Sequence, residues 1–193
     1  MKNKPLYLIS NVHRSGSSMM MRCLEAGGMD VAYDDSQERL NVRHDGSLYV
    51  PNPNGFYALS EDFRRPDLYD IYAGKAMKIP FRDLTSLPKG ENKILFIKRN
   101  PEEIRKSMDA FTPGRHWGQD SSILFFYDMV ISSLLEQLST RDDVEIIVME
   151  YADIVTNPLG AFSRLKERGW DIDVERAISK VDSSLHRFKL EAK

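Results

Sequence analysis

The chain has one cysteine in 193 residues, a net charge of only −2 at pH 7, and no long apolar run. A lone Cys23 cannot close an internal disulfide, which points to a reducing, cytoplasmic setting. The small net charge argues against general binding to nucleic acid or to an anionic membrane, yet leaves room for a local basic pocket. The apolar stretch that follows Lys2 and Lys4 is only about seven residues, shorter than a membrane span or the core of a secretion signal. His44, His116 and His186 sit among loop-type or basic residues without metal-ligand spacing, so no metal site is expected. Internal repeats and low-complexity tracts are missing as well.

What is present is ordinary for a folded protein. Hydrophobic residues make up 41% and charged residues 29%, and the length suits one domain spanning 1–193. Three short apolar runs, residues 6–12, 94–97 and 144–149, read as strands buried on both faces; a weaker run at 76–79 ends on Pro80. Helical patterns lie between them. The first covers 17–26 and stops at Gly27 and Gly28. A second opens at "RNPEEIRKSM", where Asn100 caps, Pro101 suits the first helical position, and Glu103 completes a capping box. A third starts near Asp120, with Ile123, Tyr127, Val130, Ile131, Leu134 and Leu138 on one face. A fourth starts at "TNPLGAF", where Asn157 and Pro158 repeat the cap, and ends at Gly169. Strand and helix alternate, so the fold is α/β with a mostly parallel central sheet flanked by helices.

The most informative stretch is "YLISNVHRSGSSMMMRCLEAGGMDV". A buried strand breaks into a polar turn and resumes as a helix, so several backbone N–H groups face one point at the positive end of the helix dipole. Gly16 lets the backbone approach an anion, Ser15, Ser17 and Ser18 add hydroxyl donors, and Arg14 adds a charged fork. Compared with the nucleoside triphosphate loop G-x-x-x-x-G-K-[ST], Asn11 stands at the first glycine and Ser17 at the lysine, and only Ser18 fits. The cation precedes the glycine instead, which argues against ordinary ATP or GTP hydrolysis. The bland reading is a turn that holds a structural anion or water, its hydroxyls serving as helix caps.

With its displaced cation, "HRSGSS" resembles the 5'-phosphosulfate loop of the sulfotransferases, whose pattern runs Pro, Lys or Arg, Ser or Gly, Gly, then two Thr or Ser. "KILFIKRNPEEIRKSMDAF" resembles that family's second signature, a strand ending in Arg, Asp or Asn, Pro, with Ser eight residues after the Arg; here these are Arg99 and Ser107. "VEIIVMEYADIVTNPLGAFSRL" resembles its later strand followed by Tyr, Glu, Asp, Leu, with Ala152 in place of the Glu. The resemblance spans roughly residues 6–170, in family order.

The resemblance implies a three-layer, P-loop-type α/β domain, in a small form of bacterial or phage type, that transfers a sulfuryl group from 3'-phosphoadenosine 5'-phosphosulfate to a hydroxyl or amine. Arg14, Ser15, Gly16, Ser17 and Ser18 would cradle the 5' end of the donor, and Arg99 with Ser107 its 3'-phosphate. Eight helical residues advance about 12 Å, so only a long guanidinium side chain would converge with Ser107 on one phosphate. Arg187, in "SSLHRFK", would add a third cation, although the family's Gly-rich C-terminal loop is not recognisable. Arg14 and Lys78 would carry the positive charge at the transferring group, and no metal is needed.

The base is the open point. Lys78 in "MKIPFRDLTSLP" matches a family lysine, but Pro80 occupies the position of the family's histidine, and Ala58 in "NPNGFYALSED" stands where bacterial relatives carry a Glu. Glu61 is the first choice for the base, then Asp62 and His44; the bland reading of Glu61 and Asp62 is a solvated acidic pair. Arg99 could instead form a surface pair with Glu103, Ser107 could be an ordinary helix residue, and Met19 to Met21 are read as core. Phe56, Tyr57 and Trp117 suit either packing or stacking on a ligand. Alternative readings are a non-catalytic nucleotide- or anion-binding module of the same fold, or a small P-loop kinase. The acceptor, a small molecule, carbohydrate or peptide, is not specified by loops 33–73 and 111–120; no nucleic-acid or membrane partner is expected, and oligomeric state stays open, a homodimer being one option.

Overall fold

A computed structural model of the chain describes residues 4–34, 55–111 and 126–189. His44, His116, Trp117, Asp120 and Ile123, and most of the two loops expected to build an acceptor pocket, lie outside these residues.

The described elements alternate as the apolar runs require. Strand β1 (Leu6–Asn11) leads into helix α1 (Ser17–Ala26), then the two-residue strand β2 (Val31–Ala32). Helix α2 (Leu68–Tyr72), strand β3 (Ala76–Pro80) and a 3-10 segment (Phe81–Ser86) precede β4 (Asn92–Lys98) and α3 (Pro101–Phe111). Helix α4 (Tyr127–Ser139) leads to β5 (Val144–Glu150), α5 (Tyr151–Thr156), α6 (Pro158–Glu167), α7 (Val174–Ile178) and a 3-10 turn (Ser183–Leu185).

All pairings are parallel, and the sheet order is β2-β3-β1-β4-β5. Side chains alternate across each strand, so β1 sends Tyr7 and Ile9 to one face and Leu6 and Leu8 to the other. The first face is covered by α1, α5, α6 and α7 through Met20, Leu24, Ile154, Phe162 and Ala177. The second is covered by α2, α3 and α4 through Leu68, Ile104, Ile131 and Leu138. A central sheet with helices on both faces is therefore present, and its apolar runs are continuous because both sides of each strand are buried.

The caps follow the local chemistry. Helix α1 ends as Gly28 takes φ +94° and Met29 N–H reaches back to the Leu24 carbonyl, a close that satisfies the last carbonyls. At α6, Asn157 Oδ1 accepts from Gly160 N with Pro158 in the first turn; at α3, Asn100 Oδ1 accepts from Glu102 N at 2.9 Å. The face expected for the third helix holds at Tyr127, Ile131, Leu134 and Leu138, all buried in α4, while Val130 is half-buried.

One charged cluster fixes the entry to β4. Arg141 pairs with Asp143 at 2.7 Å and donates to the carbonyls of Leu87 and Pro88, while Asp143 accepts from Gly90 N at 2.9 Å. The hydrogen bonds from Arg141 hold the Asp143 carboxyl at about 2, below the usual 3.8. Because the folded value lies below the unfolded one, the unfolded chain binds the extra proton as pH drops, so this contribution is present above about pH 4 and lost as pH falls toward 2. Urea unfolding over that window is expected to show about 1–2 kcal/mol less acid-induced loss in Asp143→Asn than in the native chain; equal slopes would discount the cluster.

Candidate functional site

The carboxyl ends of β1, β3, β4 and β5 lie together, where ligands bind in open parallel sheets, and the segments that follow them line one cavity of about 490 Å³. After β1 the chain turns sharply. Arg14 takes φ +68° and Gly16 φ +92°, so two left-handed residues bend the loop and Gly16 becomes the N-cap of α1. Ser15, fully buried, donates its hydroxyl to the Val12 carbonyl at 2.7 Å and does not line the cavity; its hydroxyl serves the turn. Gly16, Ser17 and Ser18 do line it.

Gly16 is required for a second reason. A Cβ placed there would lie 2.4 Å from Cδ2 and 2.5 Å from Cε2 of Tyr151, the first residue of α5. The Tyr151 ring, 3% exposed, thus forms the floor of the loop. The Arg99 guanidinium stacks over the same ring at 4.6 Å, and the His186 ring stands nearly perpendicular to it with 5.0 Å between ring centroids. Burial pushes the Tyr151 hydroxyl up, with Arg99 opposing, so the phenol stays neutral and the ring acts by packing.

Arg99 is 7% exposed and heavily engaged. Its Nε donates to Glu103 Oε2 at 2.9 Å and its Nη1 to the Arg14 carbonyl at 2.9 Å. Its Nη2 is buried and has no hydrogen-bond partner among the described residues, leaving one strong donor in a residue of the cavity wall. The Arg99–Glu103 pair forms, but it is not the surface pair expected: its side chains are only 6% and 9% exposed, with the Tyr151 ring against Arg99 and His186 against Glu103. Glu103 also accepts from His186 Nε2 at 2.8 Å, which pins the 3-10 turn at Ser183–Leu185 and the residues after it against α3. Leu185, Arg187 and Phe188 thereby become cavity wall.

The gap between Arg99 and Ser107 is closed from the other side. Arg14 Nε donates to Ser107 Oγ at 3.2 Å, joining the loop to α3. Lys78, on β3, donates to the Phe56 carbonyl and to Ser18 Oγ at 3.2 Å, and Ser18 donates to the same carbonyl at 3.1 Å. Arg22 and Lys180 also line the cavity. Among the described residues its wall therefore carries Arg14, Arg22, Lys78, Arg99, Lys180 and Arg187 and no carboxylate, on a chain whose net charge is −2. Phe56, Leu59, Ile79, Met108 and Phe188 give it an apolar side.

A solved structure similar to this one is that of retinol dehydratase. It holds androsterone and the inactive cofactor PAP; the likeness has 12% identity and a TM-score of 0.40, and covers 96% of this chain and 65% of that one, less than two thirds of that protein's length. No protein-family model and no curated protein matches the chain.

Of the residues expected from the sequence, the structure brings together Arg14, Gly16, Ser17, Ser18, Lys78, Arg99, Ser107 and Arg187. Glu61 and Asp62 lie outside the wall. Glu61 accepts from the Tyr72 hydroxyl at 2.7 Å and pairs with Arg65 at 3.2 Å, partners that hold its carboxyl below the usual range. Pro80 and Ala58 both line the cavity. Tyr57 is packed, donating to Glu25 Oε2 at 2.6 Å. Sequence reasoning gives no site role to His13, Tyr151 or His186, although Tyr151 is the Tyr of the motif after the late strand and His186 is weighed there only as a metal ligand.

Among the described residues no group of three His, Cys, Asp or Glu side chains is placed to hold a metal, and no helix is long and apolar enough to cross a membrane. Gly16→Ala must both adopt a left-handed backbone and displace Tyr151. It is expected to destabilise the chain by about 2 kcal/mol or more and to change the near-ultraviolet circular dichroism of its tyrosines; a variant as stable as the parent would show that the ring is not seated on the loop.

Proposed function

We propose that the chain is a sulfotransferase-type enzyme that binds 3'-phosphoadenosine 5'-phosphosulfate and passes its sulfuryl group to an acceptor hydroxyl or amine. The observation that carries this reading is the convergence of six cations, together with the left-handed glycine that caps α1, on one cavity wall that bears no described carboxylate. A ligand with anionic groups at two separated points suits that wall better than a single inorganic anion would. The first point is the loop, where Gly16, Ser17, Ser18 and Lys78 meet. The second is the Arg14–Ser107 junction with Arg99, whose buried Nη2 is a donor awaiting an acceptor. When bound, the donor supplies a sulfuryl group activated by its anhydride bond to phosphate. The chain's part is electrostatic: Lys78 and Arg14, held in place beforehand, stabilise charge that builds on the leaving phosphate oxygen. The helix dipole of α1 adds to this at the same point.

A second reading, a binding module that holds the nucleotide without turning it over, is favoured by Pro80 and Ala58 in the wall and by Glu61 not being among the described lining residues. A small kinase would need a lysine to bridge two phosphates, and Ser17 stands at that position of the loop.

Calorimetric titration with 3'-phosphoadenosine 5'-phosphate, with ATP and magnesium as control, tests the donor reading. The native chain is expected to bind the bisphosphate in the micromolar range and ATP far more weakly. Arg14→Gln and Lys78→Met each remove a charged hydrogen bond to phosphate, about 1.5–3 kcal/mol, or roughly ten- to hundredfold in affinity. Preferential binding of ATP with magnesium would support the kinase, and binding of neither would leave a loop that serves another anion.

A further inference from the structure

We propose that His13 is the catalytic base of this site, taking the acceptor's proton. The inference rests on the donor reading above. His13 lies beside Arg14 at the turn, lines the cavity and keeps solvent access. The wall's other described side chains are poor candidates: Pro80 and Ala58 have no proton acceptor, Tyr151 is a neutral phenol buried under the loop, and the remaining ionisable groups are lysines and arginines. Glu61 and Asp62 lie elsewhere, and His186 is turned away into its bond with Glu103.

The surroundings suit the role. Partial withdrawal from water, and then the charges of Arg82 in the 3-10 segment, Lys78 on β3 and Arg14 in the loop, lower the His13 imidazole below the ordinary histidine value. These groups approach from three elements, and each favours the neutral ring, which is the form with a free lone pair. A neutral base at neutral pH is thereby secured without a carboxylate, whose negative charge would repel the donor.

Donor binding strengthens this base. The bound anion offsets the charges of Lys78 and Arg14, so the value of His13 rises when the donor arrives, and the ring becomes a better proton acceptor when one is needed. The step balances as follows: the acceptor's O–H or N–H proton passes to His13, its oxygen or nitrogen bonds to sulfur, and the sulfur–oxygen bond to the 5'-phosphate breaks. The products are the sulfated acceptor, 3'-phosphoadenosine 5'-phosphate and an imidazolium that returns its proton to solvent.

Proton NMR of the His13 imidazole, assigned by comparison with His13→Gln, gives a readout independent of turnover. Its titration midpoint is expected below the ordinary value of about 6.5 in the free protein and higher after saturation with 3'-phosphoadenosine 5'-phosphate. In parallel, release of that product from the sulfated donor is followed with 2-naphthol and with water alone as acceptors. His13→Gln is expected to lower release about a hundredfold or more while holding product affinity within about threefold. The rate should rise with pH through the midpoint of His13 in the donor complex and then level off.

Retained release in His13→Gln, a midpoint that ignores the nucleotide, or loss confined to Glu61→Gln each overturns the assignment. A native chain that binds the nucleotide yet releases none from the donor overturns it too, in favour of the binding module. Failure of the native chain to bind the nucleotide is a different result, since it removes the donor reading on which His13 depends.

Discussion

The site depends on one contact, the Cδ2–Cε2 edge of the Tyr151 ring against the backbone of Gly16. A side chain at residue 16 would occupy the space of the ring, so the loop can sit this low only because a glycine is there. The ring in turn carries the Arg99 guanidinium on its surface and has the His186 ring nearly perpendicular to it. Three distant parts of the sequence are thus set in register by one aromatic plate: the turn after β1, the end of β4 and the C-terminal tail. The plate is itself placed by β5, whose last residue directly precedes it.

Cations crowded together repel one another and lose hydration, and the fold has to offset both costs. It does so largely with neutral oxygens. Lys78 gives hydrogen bonds to the Phe56 carbonyl and the Ser18 hydroxyl, Arg99 to the Arg14 carbonyl, and Arg14 to the Ser107 hydroxyl. Such partners fix a guanidinium or ammonium in position without cancelling its charge. Among the described residues Glu103 is a carboxylate partner, and it is shared between Arg99 and His186. The described side chains of the wall therefore carry a positive balance although the chain as a whole does not.

Much of this is legible in the sequence because burial writes itself into composition. Strands covered on both faces leave unbroken apolar runs, which marked β1, β3, β4 and β5 within a residue or two, and Asn-Pro and Gly-Gly pairs marked the ends of α3, α6 and α1. The two-residue strand β2 has too little pattern to see, and the single-turn α5 is hidden between a strand and a capped helix. Residues that act through contacts far along the chain were the hardest to place. Glu103 reads as half of a capping box, and nothing local says that a histidine 83 positions later will bind it. His13 reads as one letter of a polar turn; only the fold brings Lys78 and Arg82 beside it. Glu61 is the converse case: an acidic residue in a loop suggests a base, while the fold sets its carboxylate against Tyr72 and Arg65 and leaves it out of the cavity wall.

The bond from Arg99 to the Arg14 carbonyl joins residues 85 apart, and the bond from Arg14 to Ser107 joins residues 93 apart. Closing contacts of such span costs chain entropy that local helices do not incur, a cost already met where β1 and β4 pair side by side. The cavity is in this sense a product of the tertiary topology and of no single segment. A ligand that fits it recognises the finished topology and would draw the population toward that state by mass action.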